Sequence, residues 1–113
     1  MKNAVTFIGL MSGTSMDSID TVAVTFSNKN LNLLGTHAHA IPDNVKANIL
    51  TLCAPGLDNV QLLAETDHRL GELFAEASLA LITQLNLSSK DIVAIGSHGQ
   101  TIRHQPPGLK PGF

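Results

Sequence analysis

Three strand-like segments follow one another within the first 41 residues, and only short polar connections separate them. Residues 4–11, 19–26 and 31–41 are rich in apolar and β-branched side chains, which is typical of β-strands. The connection at residues 27–30 contains Ser and Asn, which form tight turns readily. Short connections favour antiparallel neighbours, so the sequence predicts a three-stranded antiparallel meander. The first strand is apolar on both of its faces, and this predicts that both faces are covered.

Two helices and a fourth strand are predicted after the meander. Pro42 and Asp43 form a helix start signal, so residues 44–53 predict a short helix. From residue 60 to residue 87, apolar side chains recur at helical spacing and predict the longest helix of the chain. Residues 92–97 then predict a buried fourth strand beside the first and parallel to it. The order βββααβ indicates an α/β fold.

The long helix has two contrasting faces. Leu70, Phe74 and Leu81 lie on the apolar face, which we expect to pack on the sheet. Glu72 and Glu76 lie on the opposite face and are expected to remain in solvent.

Composition excludes several classes of function. The chain has 113 residues and a net charge of -2, so it lacks the basic character that nucleic acids or anionic membranes attract. No apolar run reaches the length of a membrane-spanning helix, and the N-terminus lacks the features of a cleaved signal peptide. The one cysteine, Cys53, cannot form an internal disulfide. These features predict a cytoplasmic protein that binds neither nucleic acid nor membrane.

The loop after the first strand is the strongest functional signal. Ser12, Gly13, Thr14 and Ser15 place hydroxyl groups and exposed backbone N–H groups together. Such a turn can form an anion-binding nest, in which hydroxyls add donors for phosphate oxygens. The alternative is an ordinary polar hairpin turn, because glycine and serine are common in turns. The P-loop motif is absent, and the element that follows is a strand rather than the helix of a dinucleotide-binding fold.

Two stretches together resemble one enzyme family. "GLMSGTSMDSID" (9–20) and "IGSHGQTIRHQPPG" (95–108), with the helix "LLAETDHRLGELFAEA" (62–77) between them, closely resemble the anhydro-N-acetylmuramic acid kinases. That family belongs to the actin/hexokinase-like (ribonuclease H-like) ATPase superfamily. The resemblance covers essentially the whole chain but only the N-terminal part of the family's longer chains. It implies that residues 1–113 are an N-terminal lobe fragment without the second lobe.

The resemblance implies a reaction and its cofactors. Members of the family use ATP and Mg²⁺ to open the 1,6-anhydro ring of anhydro-N-acetylmuramic acid with water and to phosphorylate the released O6. The product, N-acetylmuramic acid 6-phosphate, enters peptidoglycan recycling. Phosphoryl transfer depends mainly on positioning and charge neutralisation, whereas ring opening needs a general base for the water. The family's base, an aspartate, is expected beyond Phe113, so the chain alone is expected to be inactive.

The resemblance also implies two sets of binding residues. The set expected to bind ATP is Gly13, Thr14, Ser15, Met16, Asp17, Ser18, Ile19 and Asp20. The set expected to bind the amino sugar is His98, Gln100, Thr101 and Arg103, with Arg103 suited to the lactyl carboxylate. Asp17 would be repelled by phosphate and is expected to orient the sugar, a water or Mg²⁺. Asp20 shares a strand face with valines, so it is either a site residue or a carboxylate paired with loop N–H groups.

Ser18 departs from the family pattern, which usually has glycine at this position. If Ser18 adopts a positive φ, the strain is about 1–2 kcal/mol. If the position needs only a close approach to phosphate, the hydroxymethyl group either crowds the nucleotide or donates a hydrogen bond to it.

Other hypotheses remain open at this point. One is a serine hydrolase with Ser12 or Ser15 as nucleophile, His98 as base and Asp17 or Asp20 as orienting group, although no G-x-S-x-G motif is present. Another is a non-catalytic nucleotide-binding or assembly module of the same superfamily. A homodimer is a further expectation, because a single lobe exposes apolar surface.

No metal site made by protein side chains alone is predicted. His37 and His39 fall on one strand face and could bind a metal with His98 or His104. The alternative to a functional role for His98 is a structural one, in which this side chain holds its loop in place. The spacing of these histidines matches no diagnostic zinc motif.

Overall fold

The computed structural model describes residues 5–13, 16–54, 56, 59–105, 107–108 and 111–112. Within these residues a four-stranded sheet has the order β3-β2-β1-β4. Its strands are β1 (Val5–Ser12), β2 (Ser18–Ser27), β3 (Asn30–Ala40) and β4 (Ile92–Ser97). β1, β2 and β3 form the predicted antiparallel meander, and β4 pairs with β1 in parallel, which confirms the α/β topology. This is the arrangement expected of the first part of an actin/hexokinase-like lobe.

The β2–β3 connection is a two-residue hairpin turn. Asn28 and Lys29 both have a positive φ, of 48° and 70°. Two consecutive left-handed residues are characteristic of the type I′ turn, whose twist matches that of the flanking strands. The expected turn at residues 27–30 is therefore confirmed, and Asn28 supplies the residue type that tolerates this conformation.

Both helices pack on one face of the sheet. They are α1 (Asp43–Cys53) and α2 (Val60–Gln84). The largest fully buried side chains come from the sheet and from both helices: Ile8, Ile19, Val45, Ile49, Leu73 and Leu81. Each such side chain contributes about 1.5–3 kcal/mol through removal of apolar area from water.

The predicted faces of α2 are confirmed. Leu81 is fully buried, and Leu70 and Phe74 pack against the core while remaining partly accessible. Glu72 and Glu76 are exposed. α2 begins after Asn59, whose side chain accepts a hydrogen bond from the Leu62 N–H at 2.9 Å, a common N-cap arrangement.

The predicted end of α2 at residue 87 is wrong by three residues. The helix ends at Gln84 because Asn86 adopts a positive φ of 56°. The Asn86 N–H then donates to the Thr83 carbonyl and the Leu87 N–H donates to the Ile82 carbonyl. These two bonds form a Schellman motif, in which a left-handed residue satisfies the last carbonyls of a helix. A short 3₁₀ helix (Ser89–Asp91) connects this end to β4.

The expectation that β1 is covered on both faces is wrong for the described residues. Thr6, Ile8, Leu10 and Ser12 are buried under the helices. The alternate residues lie on what we call the open face of the sheet: Val5, Phe7, Gly9 and Met11 on β1, with Ser18, Asp20, Val22, Val24 and Phe26 paired beside them on β2. No described element packs over this face.

The fourth strand was also predicted to be buried, and it is not. Val93 and Ile95 are exposed to 60% and 51%. β4 is the edge of the sheet, and an apolar groove separates it from the Leu79 side of α2. Neither described helix is long and apolar enough to cross a bilayer.

Candidate functional site

The ends of β1 and β4 meet at one edge of the sheet. The His98 N–H donates to the Leu10 carbonyl at 2.9 Å, and the Ser12 N–H donates to the Gly99 carbonyl at 3.3 Å. The Ser12 hydroxyl also donates to Oε1 of Gln100. Parallel strands end at the same edge of a sheet, and open α/β sheets bind ligands at the carboxyl ends of their strands. The structure therefore brings the two loops predicted from the sequence into direct contact.

The first loop turns tightly after Gly13. The Met16 N–H donates to the Gly13 carbonyl at 3.1 Å, and Met16 adopts a positive φ of 55°. A Cβ atom added to Gly13 would meet no atom of the described residues within 4 Å. Space for a ligand therefore adjoins this backbone. Thr14 and Ser15, both predicted to contact phosphate, lie outside the described residues.

Asp17 is paired with a lysine of α1. Lys46 Nζ lies 2.6 Å from Asp17 Oδ1, and the backbone carbonyl of Asp17 accepts a hydrogen bond from the Ile41 N–H at 3.2 Å. Both side chains are solvent-accessible, so the pair contributes little to stability. Its effect is local, because the ammonium group offsets the carboxylate that would repel an anion in this loop. The sequence does not predict this role of Lys46, since nothing in a helical lysine so far along the chain indicates Asp17 as its partner.

Ser18 is the first residue of β2 and pairs with Ala40 of β3. Among the described residues of the loop, Met16 has a positive φ and Ser18 does not. The strain considered for a serine at this position is therefore absent. The Ser18 hydroxyl instead donates to Asp20 Oδ1 at 3.1 Å.

Asp20 lies on the open face of the sheet, as the alternation with the valines predicted. It is exposed, and among the described residues its carboxylate is paired with the Ser18 hydroxyl rather than with a loop N–H. It lines a cavity of about 450 Å³ together with Gly9, Met11, Val22 and Thr36. An accessible carboxylate beside a depression can bind a cation or orient a water.

The second loop is shaped by Gly99 and Gln100. Gly99 has a positive φ of 77°, and its N–H donates to the Ser97 hydroxyl at 3.1 Å. The side chain of Gln100 joins both loops, because its Oε1 accepts from Ser12 and its Nε2 donates to the Thr101 carbonyl at 2.8 Å. This residue holds the loop in position as well as offering amide chemistry to a ligand.

The remaining residues predicted to bind the sugar lie in the same loop. The side chains of His98, Thr101 and Arg103 are exposed at this edge of the sheet. The backbone of His98 ties the loop to β1, while its imidazole is accessible to solvent. The loop thus presents an imidazole, a hydroxyl and a guanidinium group near the end of β4.

Comparison with known proteins identifies the family. The family model for anhydro-N-acetylmuramic acid kinase matches residues 5–112. The chain belongs to the anhydro-N-acetylmuramic acid kinase family. A protein of that name from a Shewanella species is 48% identical over 113 residues, which are 100% of this chain and 30% of the relative. Another from Aliivibrio fischeri is 48% identical over 105 residues, 93% of this chain and 29% of the relative.

A third relative, from Shewanella halifaxensis, is 44% identical over 107 residues, and its name is the same. The chain spans about 30% of the length of the curated relatives that it matches. The comparisons therefore show that the chain belongs to the family and that the matched relatives are longer than this chain.

The hydrolase hypothesis finds no support in the geometry of Ser12. Its hydroxyl donates to Gln100 rather than to a histidine. A serine nucleophile needs a base that accepts its proton, and an amide oxygen does not perform this function. Ser15 lies outside the described residues.

Proposed function

We propose that the chain is the N-terminal lobe portion of an ATP-dependent kinase that acts on 1,6-anhydro-N-acetylmuramic acid. Water adds to the anomeric carbon, the bond from that carbon to O6 breaks, and the γ-phosphoryl group of ATP passes to O6, which leaves ADP. The observation that carries this proposal is the contact between Ser12 and Gln100, which joins the two family motifs at one edge of the sheet.

The first loop is proposed to bind the phosphates of ATP. The backbone of the loop that begins at Gly13 would supply N–H donors, and the hydroxyls of Thr14 and Ser15 would add further hydrogen bonds. The open space beside Gly13 supports this role. Lys46 extends the proposal, because its ammonium group offsets the charge of Asp17 next to the bound anion.

The donor set of the site fits ATP and Mg²⁺. Mg²⁺ prefers oxygen ligands and is usually held by one or two carboxylates together with phosphate oxygens. Asp20 is accessible and has no cationic partner among the described residues, whereas Asp17 is paired with Lys46. Asp20 is therefore proposed as the carboxylate on the cation side of the site. When bound, Mg²⁺ would supply neutralisation of the phosphate charge.

The second loop is proposed to bind the sugar. Gln100 and Thr101 offer donors and acceptors for hydroxyl groups, and Arg103 can bind the lactyl carboxylate of a muramic acid with two parallel hydrogen bonds. His98 is proposed to contribute from the same loop. Because Gln100 also contacts Ser12, occupancy of the sugar loop and of the phosphate loop would be coupled through this pair.

The general base is proposed to lie outside residues 1–113. Neither Asp17 nor Asp20 suits this role, because both lie in the segment assigned to phosphate. The chain alone is therefore expected to bind ATP weakly and to turn over nothing. A cytoplasmic location and a homodimer remain part of the proposal.

The test uses the full-length protein with ATP, Mg²⁺ and the anhydro-sugar in ¹⁸O-labelled water. We expect a sugar 6-phosphate that carries one ¹⁸O atom at the anomeric carbon, detected by mass spectrometry. Arg103→Ala should raise the KM for the sugar and leave that for ATP unchanged, while Arg69→Ala on α2 serves as the control.

Three outcomes would contradict the proposal. ATP binding without any sugar phosphate would favour the non-catalytic module. Labelling of a serine by a fluorophosphonate probe would favour the hydrolase. Turnover by residues 1–113 alone would place the base within this chain and overturn the assignment of its aspartates.

A further inference from the structure

A pair of histidines lies on β3 on the side of the sheet that α2 covers. His37 and His39 are two residues apart on one strand, so their side chains project from the same face. His37 Nε2 lies 3.2 Å from His39 Nδ1, and both residues are partly buried. The side chains of the pair lie on the face opposite that of Asp20.

A carboxylate of α2 fixes the protonation of one ring. Glu76 Oε2 lies 3.3 Å from His39 Nε2, so this nitrogen carries a proton and donates a hydrogen bond to the carboxylate. In the neutral ring the other nitrogen, Nδ1, then carries no proton and has a free lone pair. It points at His37, whose Nε2 is the neighbouring atom.

Two ring nitrogens at this separation can share either a proton or a metal ion. With metal–nitrogen distances of about 2.0–2.1 Å, two nitrogens 3.2 Å apart subtend an angle of about 100–106° at the metal. That angle is close to tetrahedral. An ion can therefore bind both nitrogens in place of the shared proton once each ring turns its lone pair from the other ring toward the ion.

We propose that His37 Nε2 and His39 Nδ1 form a two-histidine site for a divalent transition-metal ion of the Cu²⁺, Ni²⁺ and Zn²⁺ class. Glu76 orients His39 from behind, as carboxylates commonly do for metal-binding histidines. The proton that His37 donates from Nε2 moves to its Nδ1, so neutral rings release no net proton when the ion binds.

The charges around the pair agree with a cation there. Glu76 is the carboxylate that faces it, and Arg69 Nη1 lies 3.7 Å from the other Glu76 oxygen. Arg69 therefore contacts the Glu76 oxygen that does not bind His39. Among the described residues no group of three or more histidine, cysteine or acidic side chains can hold a metal. Water therefore completes the coordination, and the ion remains exchangeable.

The chemistry of the ligands separates this site from the proposed Mg²⁺. Imidazole nitrogens favour Cu²⁺, Ni²⁺ and Zn²⁺, whereas Mg²⁺ takes oxygen ligands. We expect Cu²⁺ to bind more tightly than Ni²⁺ or Zn²⁺, following the general order for nitrogen sites. Binding should weaken in acid, because a ligating imidazole must be neutral.

Isothermal titration of the untagged full chain with CuCl₂ and NiCl₂, in a non-chelating buffer, tests the proposal. We expect one site, with affinity reduced at least about tenfold by His37→Gln and by His39→Gln separately. Glu76→Gln should reduce affinity about tenfold, the usual effect of removing a carboxylate behind a ligand. His68→Gln, which removes an exposed histidine of α2, should change nothing.

Circular dichroism of each variant shows whether the sheet is intact, and a Cu²⁺ electron paramagnetic resonance spectrum reports nitrogen ligands directly. Equal metal affinity in the chain and in both single histidine variants would overturn the proposal. So would the absence of a signal from two nitrogen ligands in a folded chain saturated with Cu²⁺. In that case the pair shares only a proton.

Discussion

Ser18 provides the sharpest test of the local geometry, because a positive φ would strain a serine and Ser18 does not adopt one. Ser18 begins β2, and its hydroxyl donates to Asp20 at 3.1 Å on an exposed surface. Removing that bond by Ser18→Ala should cost about 0.5–1 kcal/mol of unfolding free energy. Ser18→Gly removes the same bond and adds the backbone freedom of glycine, a further loss of about 0.5–1 kcal/mol.

Urea unfolding of the parent protein, Ser18→Ala and Ser18→Gly measures the free energy of the hydrogen bond and that of the glycine backbone. With a slope of about 1–3 kcal/mol per molar urea, Ser18→Gly should lower the midpoint by about 0.3–2 M, and Ser18→Ala by roughly half as much. Ala40 faces Ser18 across the β2–β3 ladder, so Ala40→Gly is the matched control for the backbone term alone. Nucleotide affinity of the full-length protein should stay the same or improve in Ser18→Gly, since less bulk adjoins the phosphate loop.

The reasoning would be refuted by a Ser18→Gly protein that is more stable than the parent by about 1 kcal/mol, because that gain is the signature of a strained serine. Loss of ATP binding in the same variant would refute the second part, since it would make the hydroxyl a necessary ligand.

Two further predictions concern the contacts between elements. In a double-mutant cycle of Ser12→Ala and Gln100→Leu, followed by urea unfolding, we expect a coupling energy of about 0.5–3 kcal/mol because the side chains share one hydrogen bond; additive effects would mean that the loops are held by their backbones alone. Lys46→Met should change stability by less than about 1 kcal/mol, since its pair with Asp17 is exposed. The same variant should weaken ATP binding by the full-length protein at low salt and less so at high salt, whereas Lys46→Arg retains the affinity; calorimetry that finds no salt dependence would contradict this.

The strands and the turn were predictable because their signals are local. The alternation of β-branched residues predicts the meander, and Asn28, with its positive φ, lies in the turn predicted at residues 27–30. The end of α2 was not predictable from apolar spacing, since Leu85 and Leu87 continue the pattern while Asn86 stops the helix through its backbone. Apolar patterns also report burial in a complete assembly. They therefore predict that both faces of β1 and the strand β4 are buried, whereas no described element packs over the open face of the sheet and most of β4 is exposed.

The candidate site was only partly predictable for a similar reason. Parallel strands bring their ends together, so contact between the two loops could be anticipated. The partners of single side chains could not, because they depend on how helices pack across the sheet. Lys46 reaches Asp17 from α1 and Glu76 reaches His39 from α2, and neither spacing is visible in the sequence.

The parallel pairing of β4 with β1 has a consequence for how the chain acquires its structure. The meander joins neighbouring segments, whereas Ser12 and Gln100 are separated by 88 positions in the sequence. Contacts between distant segments require closure of a long loop before they return any free energy, so they form late. On the ribosome, β1, β2, β3 and both helices precede β4 in synthesis and can begin to pack without it. We therefore expect the edge where the two loops meet to be completed last, so that the chain gains its core before it gains its binding surface.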